Sequence, residues 1–234
     1  SLNNIMKRSQ LNEKEIYLLG SPKNDVLNFK REKNKKRSIG LCVSTVDDLE
    51  ITRDFIINIL IHKSSPKLIV RPHPAFRNFE TQLNINDPRL FIRKPTDESL
   101  EDFLSSIDQL LVNDSGIFFE GLISGAEVIR VKLSHNFLNN YGVPEEFSDM
   151  YNKTASEVVS AICSEYYESN TLDKSKFFFD NVATKFENNS SEIISKVISA
   201  YIMSEENFEK QDIIKNNFYK LDINECSVFK LRNL

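Results

Sequence analysis

The sequence predicts an α/β fold in which a parallel sheet, strand order 3-2-1-4-5, carries helices on both faces. Two observations lead there. Short apolar runs of buried-strand type alternate with stretches of helical spacing from Ser38 onward, and each run ends in a turn. The clearest repeat of that pattern spans Gln109 to Lys132, a strand, a turn, a short apolar helix and a second strand. Alternation at this spacing implies right-handed crossovers and a parallel sheet.

The elements follow in order. Ile39 to Val43 reads as a buried first strand closed by Ser44 and Thr45. Thr45 with Asp48 three residues on resembles a helix start, and Phe55, Ile56, Ile59 and Leu60 carry helical spacing toward Lys63. Pro66 resets the chain, Lys67 to Val70 forms the second strand, and Leu90 to Ile92 the third. Thr96 is placed to cap the next helix, with Asp97 and Glu98 in its first turn and Leu100, Phe103, Leu104 and Ile107 on its buried face. Leu110 to Val112 is the fourth strand, Ile117 to Ser124 a buried helix stopped by Gly125, and Val128 to Val131 the fifth strand. After Lys132 the pattern changes to a loop around Gly142 and Pro144. Helices at Val158 to Cys163 and Ile193 to Ile202 come next, with Phe177 to Phe179 and Val228 to Leu234 as apolar satellites. The division is therefore residues 1–37 as a leading segment and basic linker, 38–165 as the α/β lobe, and 166–234 as a helical extension packed on it.

Composition bounds the function. With 234 residues, 40% hydrophobic and 27% charged, the chain has enough apolar material for one good core. A net charge of −4 argues against a general nucleic-acid binder, although residues 30–37 form a basic run. That run reads as a solvated linker or as a peripheral contact with anionic lipid headgroups at the inner face of a membrane. Cys42, Cys163 and Cys226 are scattered without metal-ligand spacing, which points to a reducing, cytoplasmic setting. No apolar run approaches the roughly 18 residues of a membrane span. His62, His73 and His135 are isolated from one another, no Asp-x-Asp motif is present, and the glycines at 116, 121 and 125 lack dinucleotide spacing, so neither metal nor cofactor is expected.

Two motifs carry chemistry. In the order 3-2-1-4-5 the chain reverses direction between strands one and four, and ligands bind beyond the carboxyl ends of strands at such a point. The turns at Ser44–Thr45 and at Asp114–Ser115–Gly116 flank that crevice. At the second turn, helix-terminal amides, the Ser115 hydroxyl and the bare backbone of Gly116 make an anion site. Glu120 lies a little over one helical turn further on, where its carboxylate suits ribose hydroxyls. The other motif is Arg71-Pro72-His73-Pro74 at the end of strand two. Its prolines stiffen the loop, and His73 is a hydrogen-bond donor for a phosphate or, as imidazolium, a counter-charge for a departing nucleotide. Arg71 is a second phosphate contact or an ordinary strand-end arginine.

Ile69 to Pro74, followed by Leu111 to Gly116 and then Glu120, resembles the nucleotide-binding C-terminal lobe of GT-B glycosyltransferases. The pattern is similar to bacterial enzymes of surface polysaccharide synthesis. These are the sialyltransferase and Kdo-transferase type, the CDP-glycerol glycerophosphotransferases, and the non-hydrolysing UDP-GlcNAc 2-epimerases. Leu19 to Leu27 resembles the interlobe segment that precedes such a lobe, and the likeness covers about residues 16–165. It implies a Rossmann-like lobe that binds a nucleotide-sugar donor, such as a CMP-linked one, for transfer to a glycan acceptor. His73 and Ser115 would contact the donor phosphates, Glu120 the ribose, and Lys94, Pro95 and Thr96 the base. GT-B enzymes act between two lobes, so an N-terminal lobe or a partner chain is implied as the source of the acceptor site and base. Within this chain Asp47, Asp48 and His135 are the loop residues nominated as a base, each with a plainer structural role. Alternatives from other classes are a nucleotide-sugar epimerase and a non-catalytic nucleotide-sugar-binding module.

Overall fold

The computed structural model describes residues 22, 38–62, 66–136, 139–141, 143, 145–148, 150–164, 174, 190–203, 218–223 and 226–231. The segment 1–21, most of the basic run's neighbourhood including 30–37, and Phe177 to Phe179 lie outside them. The chain divides into two compact units, residues 28–175 and residues 1–27 with 176–234.

The larger unit is built on five parallel strands, β1 (Ser38–Val43), β2 (Lys67–Pro72), β3 (Leu90–Ile92), β4 (Gln109–Val112) and β5 (Glu127–Arg130). Their order is β3-β2-β1-β4-β5, as the alternation implies. All six residues of β1 are buried, the expected state of a central parallel strand covered on both faces. Side-chain alternation assigns those faces. Ile39, Leu41 and Val43 join Leu68, Val70, Leu111 and Ile129 in one core layer. Helix α1 (Leu49–Ile61) closes that layer through Phe55, Ile56, Ile59 and Leu60. Helices α2 (Phe79–Leu83) and α5 (Ala155–Ile162) add Phe79, Leu83, Val158, Val159 and Ile162. Burying each such side chain contributes roughly 1.5–3 kcal/mol.

The opposite face is covered by α3 (Leu100–Ser105) and α4 (Ile117–Ile123). There the helices come close because glycines permit it. A Cβ on Gly40 would lie 2.5 Å from Ile107 Cδ1, and one on Gly121 would lie 2.4 Å from Leu110 Cδ2 and 2.9 Å from Val128 Cγ2. Gly121 thus lets α4 rest directly on β4 and β5. Gly125, at φ 72°, turns the chain from α4 into β5, the stop expected there.

Three local readings are corrected. Helix α1 starts at Asp48, not Thr45. The Asp48 carboxylate accepts from the N–H groups of Glu50 and Ile51, and Thr45 lies in the preceding turn. Helix α3 is capped by Ser99 rather than Thr96, because the Ser99 hydroxyl reaches the Asp102 N–H at 3.0 Å and the acids of the first turn are Glu101 and Asp102. Ile107 falls beyond the end of α3 yet stays in the core. Helix α2, between β2 and β3, is too short to leave a periodic signal in the sequence, and a 3-10 turn at Glu145–Phe147 interrupts the loop after β5.

In the second unit, α6 (Ser190–Met203) matches the helical spacing read at Ile193 to Ile202. The unit's described residues further along are not helical: β6 (Phe218–Ile223) and β7 (Cys226–Leu231) form an antiparallel ribbon in which Ile223 pairs with Cys226. Among the described residues no helix is long and apolar enough to cross a membrane.

Candidate functional site

The carboxyl ends of the central strands finish level. Val43 pairs with Pro72, Cys42 with Val112, and Val112 with Arg130. The His73 N–H donates to the Val43 carbonyl at 2.8 Å, which extends the β1–β2 ladder by one residue. His73 and the turn after β4 therefore emerge on either side of β1, with β2 and β4 two strand spacings apart, roughly 9–10 Å.

His73 is exposed and its ring is held by its own turn. Nδ1 accepts the Ala75 N–H at 3.1 Å, and the His73 carbonyl accepts the Phe76 N–H at 2.9 Å. That hydrogen bond assigns the proton of the neutral ring to Nε2, which is left as a donor. Arg71, two residues earlier, is turned inward. Its Nη2 donates to the Glu98 carbonyl at 3.0 Å, Nη1 lies 3.9 Å from Glu98 Oε2, and the guanidinium stacks 5.4 Å from the Phe103 ring centre. Burial pushes the Arg71 pKa down from its ordinary value. In the loop after β3, Arg93 also pairs with Glu98, Lys94 Nζ lies 3.7 Å from Glu80, Pro95 is half-buried and Thr96 is exposed.

The turn after β4 contains both inward-facing and available groups. Asn113, 1% exposed, donates through Nδ2 to Asp47 Oδ1 at 2.7 Å and to the Ser134 hydroxyl at 3.2 Å. Asp47 Oδ2 accepts the Ser44 N–H at 2.6 Å. One buried amide thus ties together the loops that follow β1, β4 and β5. Burial raises the Asp47 pKa, and the hydrogen bonds from Ser44 and Asn113 oppose that rise. Ser44 is half-buried and Thr45 exposed on the same rim.

Asp114 is buried as well. Its Oδ2 accepts both the backbone N–H of Asn140, at 2.9 Å, and the Asn140 side-chain amide, at 2.6 Å, while Oδ1 lies 3.9 Å from Arg130 Nη2. Arg130, 1% exposed, donates to the Ser148 hydroxyl at 2.9 Å and stacks 5.0 Å from the Tyr151 ring. Desolvation lowers the Arg130 pKa and the Asp114 charge raises it. The charged groups of this turn are accordingly engaged in holding the loop after β5.

Ser115 and Gly116 are half-buried at the start of α4. No side chain caps this helix. The Ser115 carbonyl accepts from Phe118 at 3.1 Å and the Gly116 carbonyl from Phe119 at 3.0 Å. The N–H groups of Ser115, Gly116 and Ile117 have no acceptor among the described residues. Glu120 is 4% exposed on the inner side of α4. Its charge, with that of Asp47, raises the Cys42 thiol pKa, an effect smaller than burial and opposed by Arg71. Arg71, Asp47 and Glu120 therefore converge electrostatically around Cys42 beneath the crevice.

The nominated bases also have structural partners. Asp47 belongs to the buried network above, Asp48 caps α1, and the exposed His135 lies 3.6 Å from Asp48 Oδ2. Ser134 and His135 border a separate pocket of about 310 Å³ between α1 and α5, together with Phe55, Lys132 and Lys153. Among the described residues no three His, Cys, Asp or Glu side chains are grouped to hold a metal. Sequence reading missed Asn113, Arg130 and Tyr141. A charged residue inside the apolar run Val128 to Val131 was the available signal for Arg130, since a charge on a buried strand needs a partner.

A Rossmann-like lobe with this order is the architecture of one lobe of a GT-B fold. Solved structures agree. A wall teichoic acid polymerase TagF structure with CDPG superposes with a TM-score of 0.57 over 86% of this chain and 56% of that one, at 14% identity. A UDP-N-acetylglucosamine 2-epimerase candidate from Listeria monocytogenes gives 0.55 over 89% of this chain and 58% of that one, also at 14% identity. The chain thus spans less than two thirds of each, and identities this low establish the fold alone. No protein-family model and no curated protein matches the sequence.

Proposed function

We propose that this lobe binds the nucleotide phosphates of an activated donor, as the donor half of a GT-B glycosyltransferase or related phosphotransferase of bacterial surface-glycan assembly. The observation that carries the reading is the pairing of two donor sets across β1. On one side stands His73, its Nε2–H left as a donor by the Ala75 hydrogen bond. On the other are the Ser115 hydroxyl and the N–H groups of Ser115, Gly116 and Ile117. A diphosphate placed between them would accept from both, and donors fixed before the reaction stabilise charge as it develops on a leaving group. Helix α4 is only seven residues long, so the individual amides matter here more than a macrodipole.

In the proposed transfer, the bond between the donor's phosphate and the transferred group breaks as the acceptor oxygen attacks. The phosphate leaves with the electron pair of that bond, held by His73 and Ser115. The acceptor's hydroxyl proton goes to a base supplied by a second lobe, since Asp47 and Asp48 are committed to loop structure. Glu120 and the residues Lys94 to Thr96 retain their proposed roles toward ribose and base. The full donor, the acceptor and any contact of the basic run with a membrane belong to the same proposal.

Calorimetric titration of the chain with CDP and with UDP tests it. Saturable binding weakened about tenfold or more by His73→Ala, and similarly by Ser115→Ala, is the expected result; the loss of a charge-assisted hydrogen bond corresponds to such a factor. Binding of neither nucleotide, or binding indifferent to both substitutions, refutes it.

A further inference from the structure

Tyr141 stands beside the proposed phosphate turn. Its neighbour Asn140 is gripped twice by Asp114, through backbone N–H and side-chain amide, and Asp114 is itself buried in front of Arg130. The backbone at 140 is therefore fixed to the turn that carries Ser115. The Tyr141 ring lies edge-on to Phe119, with centroids 6.2 Å apart and planes at 69°. It also closes on Gly116, where an added Cβ would meet Tyr141 Cε1 at 3.4 Å and the hydroxyl at 3.6 Å. Yet 46% of the residue remains exposed. Solitary exposed aromatics are common. Tyr141 differs in that the residue before it is tied to a buried carboxylate, which holds the ring against an uncapped helix start.

We propose that Tyr141 is a binding residue for the group attached beyond the donor's phosphates, a glycosyl or polyol unit, and not for the nucleobase. This rests on the phosphate site proposed above. A phosphate bridging His73 and Ser115 sits over β1, between β2 and β4, so the two ends of the donor run toward opposite edges of the sheet. The loop after β3 is the proposed base contact, and Tyr141 stands against Gly116 and Phe119 at the start of α4, which follows β4 on the other side of β1 from β3. A tyrosine there offers an apolar ring for the C–H face of a sugar or polyol and a hydroxyl for its oxygens.

Titrating the full chain with CDP, CDP-glycerol, UDP and UDP-N-acetylglucosamine, for the native sequence, Tyr141→Ala and Tyr141→Phe, decides the matter. The native chain should bind at least one of the linked donors more tightly than its bare nucleotide. Tyr141→Ala should weaken that linked donor about fivefold to tenfold and leave the bare nucleotide within about twofold. Tyr141→Phe, which keeps the ring, should retain more of the affinity than Tyr141→Ala. Equal losses for bare and linked nucleotides, or no loss for either, overturn the assignment while leaving the phosphate site intact. Failure of the native chain to bind any of the four removes the phosphate site and this assignment with it. Thermal unfolding of each variant separates a binding loss from a folding loss.

Discussion

The ends of β2 and β4 each carry a short motif with chemistry, and the structure uses the two differently. At the end of β2, Arg71 turns inward to Glu98, while His73 just beyond the strand stands exposed on a stiff turn, so that the group of interest is offered to solvent. After β4, Asn113 and Asp114 both turn inward, one joining three loops and the other anchoring Asn140 and Arg130, and Ser115 with its amides remains at the rim. One strand end presents a single side chain, the other a run of backbone amides together with the Ser115 hydroxyl. The difference predicts that changes at Asn113, Asp114 and their partners will cost folding, while changes at His73 and Ser115 will cost binding.

The largest expected effect is at Arg130. Arg130→Ala removes the partner of a buried carboxylate and should lower stability by about 3–5 kcal/mol in urea denaturation; a loss under about 1 kcal/mol would show that the Asp114 network is not what holds this end together. Gly121→Ala should cost about 1–3 kcal/mol, because the new methyl must displace Leu110 and Val128 in the packed interior. Unchanged stability there would mean that α4 can lift from the sheet without penalty.

Asn113→Ala comes next, at about 1–3 kcal/mol, since it leaves Asp47 Oδ1 buried without its donor. The same network has a pH signature. Burial raises the folded Asp47 pKa above the ordinary 3.8, so the folded state holds that proton more tightly than the unfolded chain does. Its contribution to stability is then fully present below pH 3.8 and lost as pH rises through the raised value. Asp47→Asn, uncharged throughout, lacks that loss. The stability of the native chain relative to Asp47→Asn should therefore fall as pH rises above 3.8, and a difference that stays flat with pH would contradict the assignment.

The smallest expected effect on folding is at His73. His73→Ala should change stability by no more than about 0.5 kcal/mol, the range of surface substitutions, although it reduces nucleotide affinity about tenfold. A large folding loss at His73 would erase the contrast between the two strand ends.

Much of this was legible in the sequence. Strand order followed from apolar runs separated by turns, because a parallel strand buried on both faces has no polar residues to interrupt it. Ile39 to Val43 and Leu110 to Val112 are examples. The rim positions of His73 and Ser115 followed from the same periodicity. Side-chain direction did not. Whether Arg71 and Asp114 face a ligand or the interior depends on Glu98, Asn140 and Arg130, which are distant in the chain or separated by whole elements. Helix starts were misread at Thr45 and Thr96, where a nearby Asp48 or Ser99 sits better aligned with the first free N–H groups. The terminal ribbon of β6 and β7 also went unseen. In β6 the apolar Tyr219, Leu221 and Ile223 alternate with Lys220 and Asp222, which was the available strand signal, whereas adjacent Val228 and Phe229 break the alternation in β7.

The central claim is that one phosphate site is shared by His73 and the turn after β4. Amide and imidazole nitrogen spectra of the labelled chain, recorded while CDP or UDP is added, test it most directly. The account predicts saturable shifts concentrated at the amides of Ser115, Gly116 and Ile117 and at His73 Nε2, all following a single binding curve. Shifts that instead centre on Lys132 and Lys153 at the pocket between α1 and α5, or that move the Ser115 turn without His73, would contradict it.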